Sequence, residues 1–151
     1  MKEKFKSAIT VGLILLNDKG QVLLQKRCNT GYMDGKYALV AGHLESNESL
    51  VDGIIREVKE EINATLDKNN VEFVCIIRRG DNYDYINSYF KYQNYNEKIE
   101  NLEPGKCSEL RWFDIVDLPD NIIPNDKRAI NNMNNKTYLD EYDFLEKGFL
   151  I

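Results

Sequence analysis

The chain has few of the residues that hold disulfide-rich domains or soft metal ions together. Its 151 residues include three cysteines and one histidine. Cys28, Cys75 and Cys107 are odd in number and far apart, and no C-x-x-C pair occurs. This spacing favours reduced thiols and a cytoplasmic location over a disulfide framework.

Positive charge is also scarce relative to negative charge. Lysine and arginine number 20 against 25 aspartates and glutamates, which gives a net charge of -5. A surface of this sign disfavours a general nucleic-acid binder, because a phosphate backbone requires basic residues. We therefore expect no nucleic acid among the partners.

Long hydrophobic runs are missing as well, and no stretch is long enough to span a membrane. The segment after MKEKFK is apolar as far as Leu16 and mimics a secretion signal, but the polar residues 17–20 interrupt it. The run resumes over residues 21–26, so the pattern predicts two strands around a turn. We expect no membrane partner and treat residues 1–151 as a single domain without repeats or linkers.

The most informative segment covers residues 42–64, GHLESNESLVDGIIREVKEEINA. Gly42 is followed after five residues by Glu48, and after seven more by the run R-E-V-K-E-E. Ser49 with Asp52 forms a capping box, which predicts a helix beginning near Leu50. Apolar residues recur at helical spacing along one side of this helix, namely Val51, Ile54, Ile55, Val58 and Ile62.

Three glutamates share a neighbouring face of the predicted helix. Glu57, Glu60 and Glu61 lie at positions i, i+3 and i+4, so their like charges destabilise an isolated helix. A bound divalent cation would remove this repulsion, and carboxylate oxygens suit Mg²⁺ or Mn²⁺. The alternative is an amphipathic helix with solvated charges, which leaves Gly42 and Glu48 unexplained.

This spacing resembles the Nudix box, which reads G, five residues, E, seven residues, then R-E-aliphatic-x-E-E-x-G-aliphatic. Six of its seven fixed letters are present, while Asn63 replaces the late glycine and Ala64 occupies the final aliphatic position. Asparagine is the residue next best able to adopt the left-handed conformation. Asn47 likewise stands where many relatives have glycine, and we expect both substitutions to be tolerated.

The resemblance implies a Mg²⁺-dependent pyrophosphohydrolase of the Nudix family. Such an enzyme cleaves the diphosphate linkage of a nucleoside diphosphate joined to another group, by in-line attack of an activated water at phosphorus. We favour a (deoxy)nucleoside triphosphate as substrate because the chain is a bare domain. A negatively charged protein that acts on a negatively charged nucleotide needs positive charge nearby, and a bound metal would supply it.

The resemblance also implies roles for residues of the box. Glu57, Glu60 and Glu61 are the expected metal ligands, with the Gly42 carbonyl often contributing, and Glu57 or Glu60 is the best candidate general base. Glu48 and Arg56 look like the family's structural pair, which ties the loop to the helix. The alternative for this pair is an exposed ion pair of little energetic value.

Substrate contacts are expected just outside the helix. Arg27 matches a position where relatives often place a phosphate-binding arginine, and His43 forms a Gly-His pair found in several of them. For both, a residue without a binding role is about as consistent with the sequence. Tyr32 and Tyr37 flank the loop before the box and could stack on a base, although packing is the more frequent fate of a strand tyrosine such as Tyr37.

A further carboxylate is expected to face the helix, because three glutamates on one helix cannot surround two or more cations. The polar loop 94–108 offers Glu97, Glu100 and Glu103. We prefer Glu103 as a metal ligand, since the turn at Pro104-Gly105 would fix its backbone. A mobile loop of solvated acids is the alternative.

The remaining periodicity predicts an α/β fold. Strands are expected over residues 8–16, 22–26, 37–41, 71–79, 83–95 and 109–115, with a second helix over 125–135. This order predicts a mixed sheet between helices, and the resemblance implies the same Nudix-type α/β/α sandwich with a mixed central sheet.

Two other functions remain open. A non-catalytic Nudix-like module that binds a nucleotide as a sensor would typically lose box glutamates, and this chain keeps them. A Nudix-type isomerase acting on an isoprenoid diphosphate would want a catalytic cysteine before the box, and Cys28 is weakly placed for that. The oligomeric state is not indicated, and a homodimer is one possibility.

Overall fold

The computed structural model describes residues 1–80 and 85–144. Within these ranges the chain forms eight strands, two α-helices and a short 3₁₀ turn at Lys68–Asn70. In chain order the elements are β1 Ala8–Asn17, β2 Val22–Arg27, β3 Tyr37–Ala38, β4 Val40–His43, α1 Leu50–Ile62, β5 Glu72–Arg79, β6 Tyr85–Tyr95, β7 Cys107–Phe113, α2 Pro124–Asn135 and β8 Leu139–Tyr142.

The strands form a mixed sheet in which β1 is the central element. The order β3-β2-β1-β6-β5-β8 runs across the sheet, while β4 pairs with β1 and β7 pairs with β2. β1 and β6 are parallel over most of their lengths, and β1 and β4 are antiparallel. β1 meets β2 only where Leu16 opposes Val22, so two groups of strands diverge from that point. The opening between them is the cleft described below.

Alternating side chains of β1 divide the core into two layers. Val11, Leu13 and Leu15 pack with the apolar side of α1, which buries Ile54, Val58 and Ile62. Ile14 and Leu16 point to the other face and pack with Ala129 and Ile130 of α2. The period of two in the strand therefore places one helix on each face of the sheet. The predicted α/β/α arrangement with a mixed sheet is confirmed.

Helix α1 begins and ends where the sequence predicts. The Ser49 side chain accepts a hydrogen bond from the Asp52 backbone N–H at 3.0 Å, which caps the first turn. Asn63 follows the last helical residue with φ at 55°, in the left-handed region, and its N–H bonds to the Lys59 carbonyl. Asn47 has a φ of 65°. Both asparagines thus adopt the conformation for which glycine is usually required.

Three details differ from the sequence-based expectation. The predicted strand over residues 37–41 is two short strands separated by Leu39, because β3 pairs with β2 and β4 pairs with β1. β7 begins at Cys107 rather than at Glu109, and β8 was not predicted at all. The first two residues of the strand expected over 83–95 lie outside the described residues.

Neither α-helix in the described part of the chain combines the length and apolar character that a membrane crossing requires.

Candidate active site

A cleft of about 980 Å³ opens between the two groups of strands. Its walls come from β1, β2, β4 and β6, from the polar face of α1, and from the start of α2. The loops between β2 and β3 and between β6 and β7 complete it. Every box glutamate with a predicted metal role lines this cleft, and so do Gly42, Arg27, Tyr32, His43 and Glu103.

Arg56 links the loop before α1 to the helix through several bonds. Its Nε and Nη2 donate to the two carboxylate oxygens of Glu48, at 3.0 and 2.7 Å. Nη2 also donates to the His43 carbonyl at 3.1 Å. A two-point guanidinium–carboxylate contact has far more geometric specificity than an ordinary surface ion pair. The geometry therefore places Glu48 and Arg56 as the tie between loop and helix.

Glu57 lines the cleft, with its side chain 12% exposed. The Nη1 of Arg56 donates to Glu57 Oε1 at 2.9 Å. Burial raises the pKa of Glu57, the arginine opposes that shift, and repulsion from Glu60 and Glu103 adds to it. The residue is thus a carboxylate held close to other negative charges.

Glu61 is the most strongly perturbed acid of the site. Burial, together with repulsion from Glu57 and Glu103, raises its pKa to about 8. The Nε2 of Gln25 donates to Glu61 Oε2 at 3.2 Å, and this bond opposes the shift. Glu60, by contrast, lines the cleft with a side chain that is 55% exposed.

Glu103 reaches the site because its loop is bonded to the end of α1. The Leu102 and Glu100 N–H groups donate to the carbonyls of Glu61 and Ile62, at 3.0 and 2.9 Å. These are among the last carbonyls of the helix, which have no partner within it. Glu103 then lies close enough to raise the pKa of both Glu57 and Glu61.

The donor set fits a hard divalent ion, although the side chains do not already form a cage. Among the described residues, no three histidine, cysteine, aspartate or glutamate side chains converge tightly enough to hold a metal. The groups that share the cleft are nevertheless carboxylates, the ligands that Mg²⁺ and Mn²⁺ prefer. Burial and, after it, repulsion from Glu57 and Glu103 raise the pKa of Glu61, and a cation would offset both costs.

Arg27 and Tyr32 form a compact unit at one side of the cleft. The Arg27 Nε donates to the Tyr32 carbonyl at 2.9 Å, and the guanidinium lies 5.6 Å from the centre of the Tyr32 ring. Nη2 donates to Thr30 Oγ1 at 3.0 Å. The charge also acts across the cleft, because it partly opposes the burial that raises the pKa of Glu61 and of Asp126.

His43 and Tyr37 lie in different environments. The exposed His43 lines the cleft, with its ring 5.8 Å from that of Tyr85. Tyr37 is only 7% exposed and belongs to the core, where its ring packs edge-on against Phe113. Its hydroxyl donates to Glu109 at 2.9 Å. Tyr37 does not line the cleft, so the stacking role expected for it gives way to packing, which satisfies both its ring and its hydroxyl.

A sequence profile of the NUDIX domain matches residues 6–133. The chain belongs to the Nudix family. Nudix hydrolases cleave pyrophosphate bonds of nucleoside diphosphate derivatives and generally use divalent metals. The match covers β1 to β7, α1 and all but the last two residues of α2, and it ends before β8.

The NAD-capped RNA hydrolase NudC of Pseudomonas putida (strain W619) is 26% identical over 111 residues, which cover 74% of this chain. The match spans only 38% of that relative's length. Among solved structures, a MutT Nudix hydrolase from Burkholderia pseudomallei has a TM-score of 0.76 at 21% identity, covering 85% of this chain and 98% of that one. A bifunctional NMN adenylyltransferase/ADP ribose pyrophosphatase from Francisella tularensis, complexed with AMP and a manganese ion, has a TM-score of 0.68 at 18% identity and covers 87% and 42%.

The Nudix cleft also contains polar residues that the sequence did not single out. Gln25 contacts Glu61, and Thr10 Oγ1 donates to Asn87 Oδ1 at 2.7 Å on the opposite wall. Asp126, at the start of α2, is buried beneath that wall. These residues are distant in sequence from the box and meet it only through the sheet. The one available signal was Gln25 itself, a polar residue that directly follows the apolar stretch at the start of β2.

Proposed function

We propose that this chain is a divalent-metal-dependent pyrophosphohydrolase that cleaves the diphosphate linkage of a nucleoside diphosphate joined to another group. The observation that carries this proposal is the placement of four carboxylates along one cleft that also contains the guanidinium of Arg27. These carboxylates belong to Glu57, Glu60, Glu61 and Glu103. A cation would remove their repulsion, and phosphate oxygens could share its shell.

The proposed metal is Mg²⁺, with Mn²⁺ able to replace it, held by the four carboxylates and the Gly42 carbonyl. When bound, it would supply charge neutralisation at the phosphates and a more acidic water. The manganese ion in the Francisella relative is in keeping with this choice. The chain's own groups would do the rest: Arg27 pairs with phosphate oxygens through its planar guanidinium, and Glu57 or Glu60 accepts the proton of the attacking water.

The substrate is proposed to be a free nucleotide derivative, with a (deoxy)nucleoside triphosphate as the first candidate. The cleft volume of about 980 Å³ is at the upper end of the usual range for small-molecule sites, so a dinucleotide also fits. One relative is named for NAD-capped RNA and another for ADP-ribose, so we add NAD and ADP-ribose as further candidates. The net charge of -5 favours these over a whole nucleic acid. Residues 1–151 would form one catalytic domain that acts in the cytoplasm.

The decisive experiment measures phosphate, pyrophosphate and nucleoside monophosphate release from (deoxy)nucleoside triphosphates, NAD and ADP-ribose. Each substrate is tested with Mg²⁺, with Mn²⁺ and with a chelator. We expect turnover of at least one substrate, and only when metal is present. Tight binding of a nucleotide without turnover under every metal condition would reject the proposal and identify a sensor module instead.

A further inference from the structure

Gln25 occupies a position where the strand pattern calls for an apolar side chain. Along β2, Val22 and Leu24 face the core layer beneath α2, while Leu23 faces the layer beneath α1. Gln25 follows Leu23 by two residues, so its side chain continues the row on the α1 side. There it lines the cleft and is only half-buried. An amide at this point needs a hydrogen-bonding role, because burying one without partners is costly.

The amide of Gln25 has two acceptors, which lie on different elements. Its Nε2 donates to the Leu39 carbonyl at 3.3 Å and to Glu61 Oε2 at 3.2 Å. A primary amide carries two N–H groups, so both bonds can form together. The side chain thus connects the backbone between β3 and β4 to the carboxylate of α1.

Leu39 is a firm anchor for this connection. It lies between two strands that pair with different partners, and it belongs to neither ladder. Its N–H donates to Asp126 Oδ2 at 2.8 Å, and the other oxygen of Asp126 accepts from the Tyr89 hydroxyl at 2.9 Å. All three residues are buried. The residue whose carbonyl Gln25 holds is therefore fixed through its N–H by a buried network.

Glu61 is the acid of the site that this connection reaches. Its carboxyl group shares the cleft with those of Glu57 and Glu103, so a hydrogen-bond donor is needed to fix the direction in which it points. The bond from Gln25 engages one oxygen and leaves the second available to a ligand. In metal sites, a hydrogen-bond donor behind a carboxylate commonly fixes the direction in which it points.

We propose that Gln25 is the positioning residue for Glu61: it fixes the carboxylate against the Leu39 carbonyl so that Glu61 faces the cleft ready to bind a divalent cation. This inference rests on the proposed function, because it presumes that Glu61 is a metal ligand. It adds a determinant of metal affinity that lies outside the box and on another strand.

The test uses direct binding of Mn²⁺, followed by electron paramagnetic resonance of the free ion, together with thermal unfolding. Gln25→Met keeps the length of the side chain and removes its donor. We expect it to weaken Mn²⁺ binding by about tenfold or more while the unfolding temperature changes little. Gln93→Met is the matched control, since Gln93 also donates to a glutamate, Glu72, but on an exposed part of β6. It should bind Mn²⁺ like the wild type.

A double-mutant cycle then asks whether Gln25 acts through Glu61. Adding Gln25→Met to Glu61→Ala should cause no further loss of Mn²⁺ affinity, because the group to be positioned is gone. Additive losses, or unchanged affinity in Gln25→Met alone, would overturn the proposal and leave the proposed function intact. Failure of the wild type to bind Mn²⁺ would overturn both.

A metal-free measurement covers the case in which Gln25→Met does not fold. In the apo protein, the side-chain amide resonances of Gln25 should shift in Glu61→Ala and stay in place in Glu60→Ala, because Glu61 accepts a hydrogen bond from this amide and Glu60 does not. Resonances that do not respond to Glu61→Ala would show that the contact is not formed in solution and would refute the proposal.

Discussion

The carboxylate of Glu57 occupies the space that a side chain on Gly42 would need. A Cβ built on Gly42 would lie 2.0 Å from the Cδ of Glu57 and about as close to both of its oxygens, at 2.2 and 2.3 Å. Gly42 does not have a positive φ, so the requirement for glycine here is one of space and not of backbone conformation. The Glu57 carboxylate can therefore occupy its position only because residue 42, at the start of the box, has no side chain.

Gly42→Ala should therefore disable the site. The added methyl group must displace the Glu57 carboxylate, and a shift of about 1 Å at such a group commonly costs about 100-fold in rate. Steady-state kinetics on the best substrate would measure the loss. Gly105→Ala is the control, because a Cβ there has no heavy atom within 4 Å. Equal activity of the two variants would show that Glu57 need not occupy its observed position.

Glu60→Gln should lower turnover by orders of magnitude and leave the fold intact, because it removes a charge and little shape. Its matched control is Glu72→Gln on β5. The two glutamate side chains are similarly exposed, 55% and 54%, and each lies 3.4 Å from one basic partner. Only the first faces the cleft. Normal turnover by Glu60→Gln, measured as kcat beside circular dichroism, would remove Glu60 from the proposed ligands.

The end of α1 provides a test of backbone conformation. Asn63 has a φ of 55°, so Asn63→Gly should be neutral or slightly stabilising. Asn63→Val should lower the free energy of unfolding by about 1 kcal/mol or more, because a β-branched residue resists positive φ. Both changes lose the weak bond from the Asn63 amide to Glu100, which makes their difference a clean measure. Identical melting temperatures for the three proteins would contradict a left-handed residue at this position.

The loop carboxylates can be separated by their metal requirement. Glu103 lines the cleft and acts electrostatically on Glu57 and Glu61, whereas Glu97 and Glu100 do not line the cleft. Activity measured against Mg²⁺ concentration should shift to higher concentrations for Glu103→Gln. The same curve should be unchanged for Glu97→Gln and Glu100→Gln. A flat response at position 103 would reject Glu103 as a ligand.

Because Asp126 is buried, we expect the stability of the protein to depend on pH in an unusual way. Burial raises its pKa to about 6, despite bonds from the Leu39 N–H and the Tyr89 hydroxyl and the nearby charge of Arg27. The folded protein therefore holds this proton more tightly than the unfolded chain, whose value is near 3.8. The penalty of the buried charge is present above pH 6 and is lost as the pH falls, which is the opposite of a salt-bridged carboxylate.

Asp126→Asn removes that titration while keeping the shape of the side chain. The free energy of unfolding of the wild type, minus that of the variant, should increase by about 1 kcal/mol between pH 7 and pH 5. Chemical denaturation at a series of pH values would measure this difference, in which the titrations of all other groups cancel. A difference that is constant across the range would show that Asp126 has an ordinary pKa.

Local signals account for the parts of the fold that the sequence predicted well. Ser49 and Asn63 bound α1 because capping and left-handed termination depend on a few neighbouring residues. The break at Leu39 could not be predicted, since it arises where one stretch of chain changes its pairing from β2 to β1. β8 has four residues of mixed polarity and exposure, so neither its length nor its pattern distinguished it from a loop.

The candidate site likewise has some features that local sequence signals predicted and others that they did not. The box placed its glutamates on one face of a helix by spacing alone, and the turn after Glu103 correctly suggested a fixed backbone there, with two N–H groups bonded to the Glu103 carbonyl. The contact between Gln25 and Glu61 spans 36 residues and the one between Tyr89 and Asp126 spans 37. Such pairs are products of the sheet, and no local pattern encodes them.

The central position of β1 has a consequence for how the chain is made. This apolar strand precedes the other described strands in chain order, yet its longest partner is β6, and the bonded residues Thr10 and Asn87 are 77 positions apart. Parallel partners so far apart close late and favour slow folding. During synthesis the edge of β1 that faces β6 therefore stays unpaired until residues 85–95 have emerged, although β4 and α1 are available earlier. For this reason, aggregation and chaperone binding compete most strongly with folding before β6 has been synthesised.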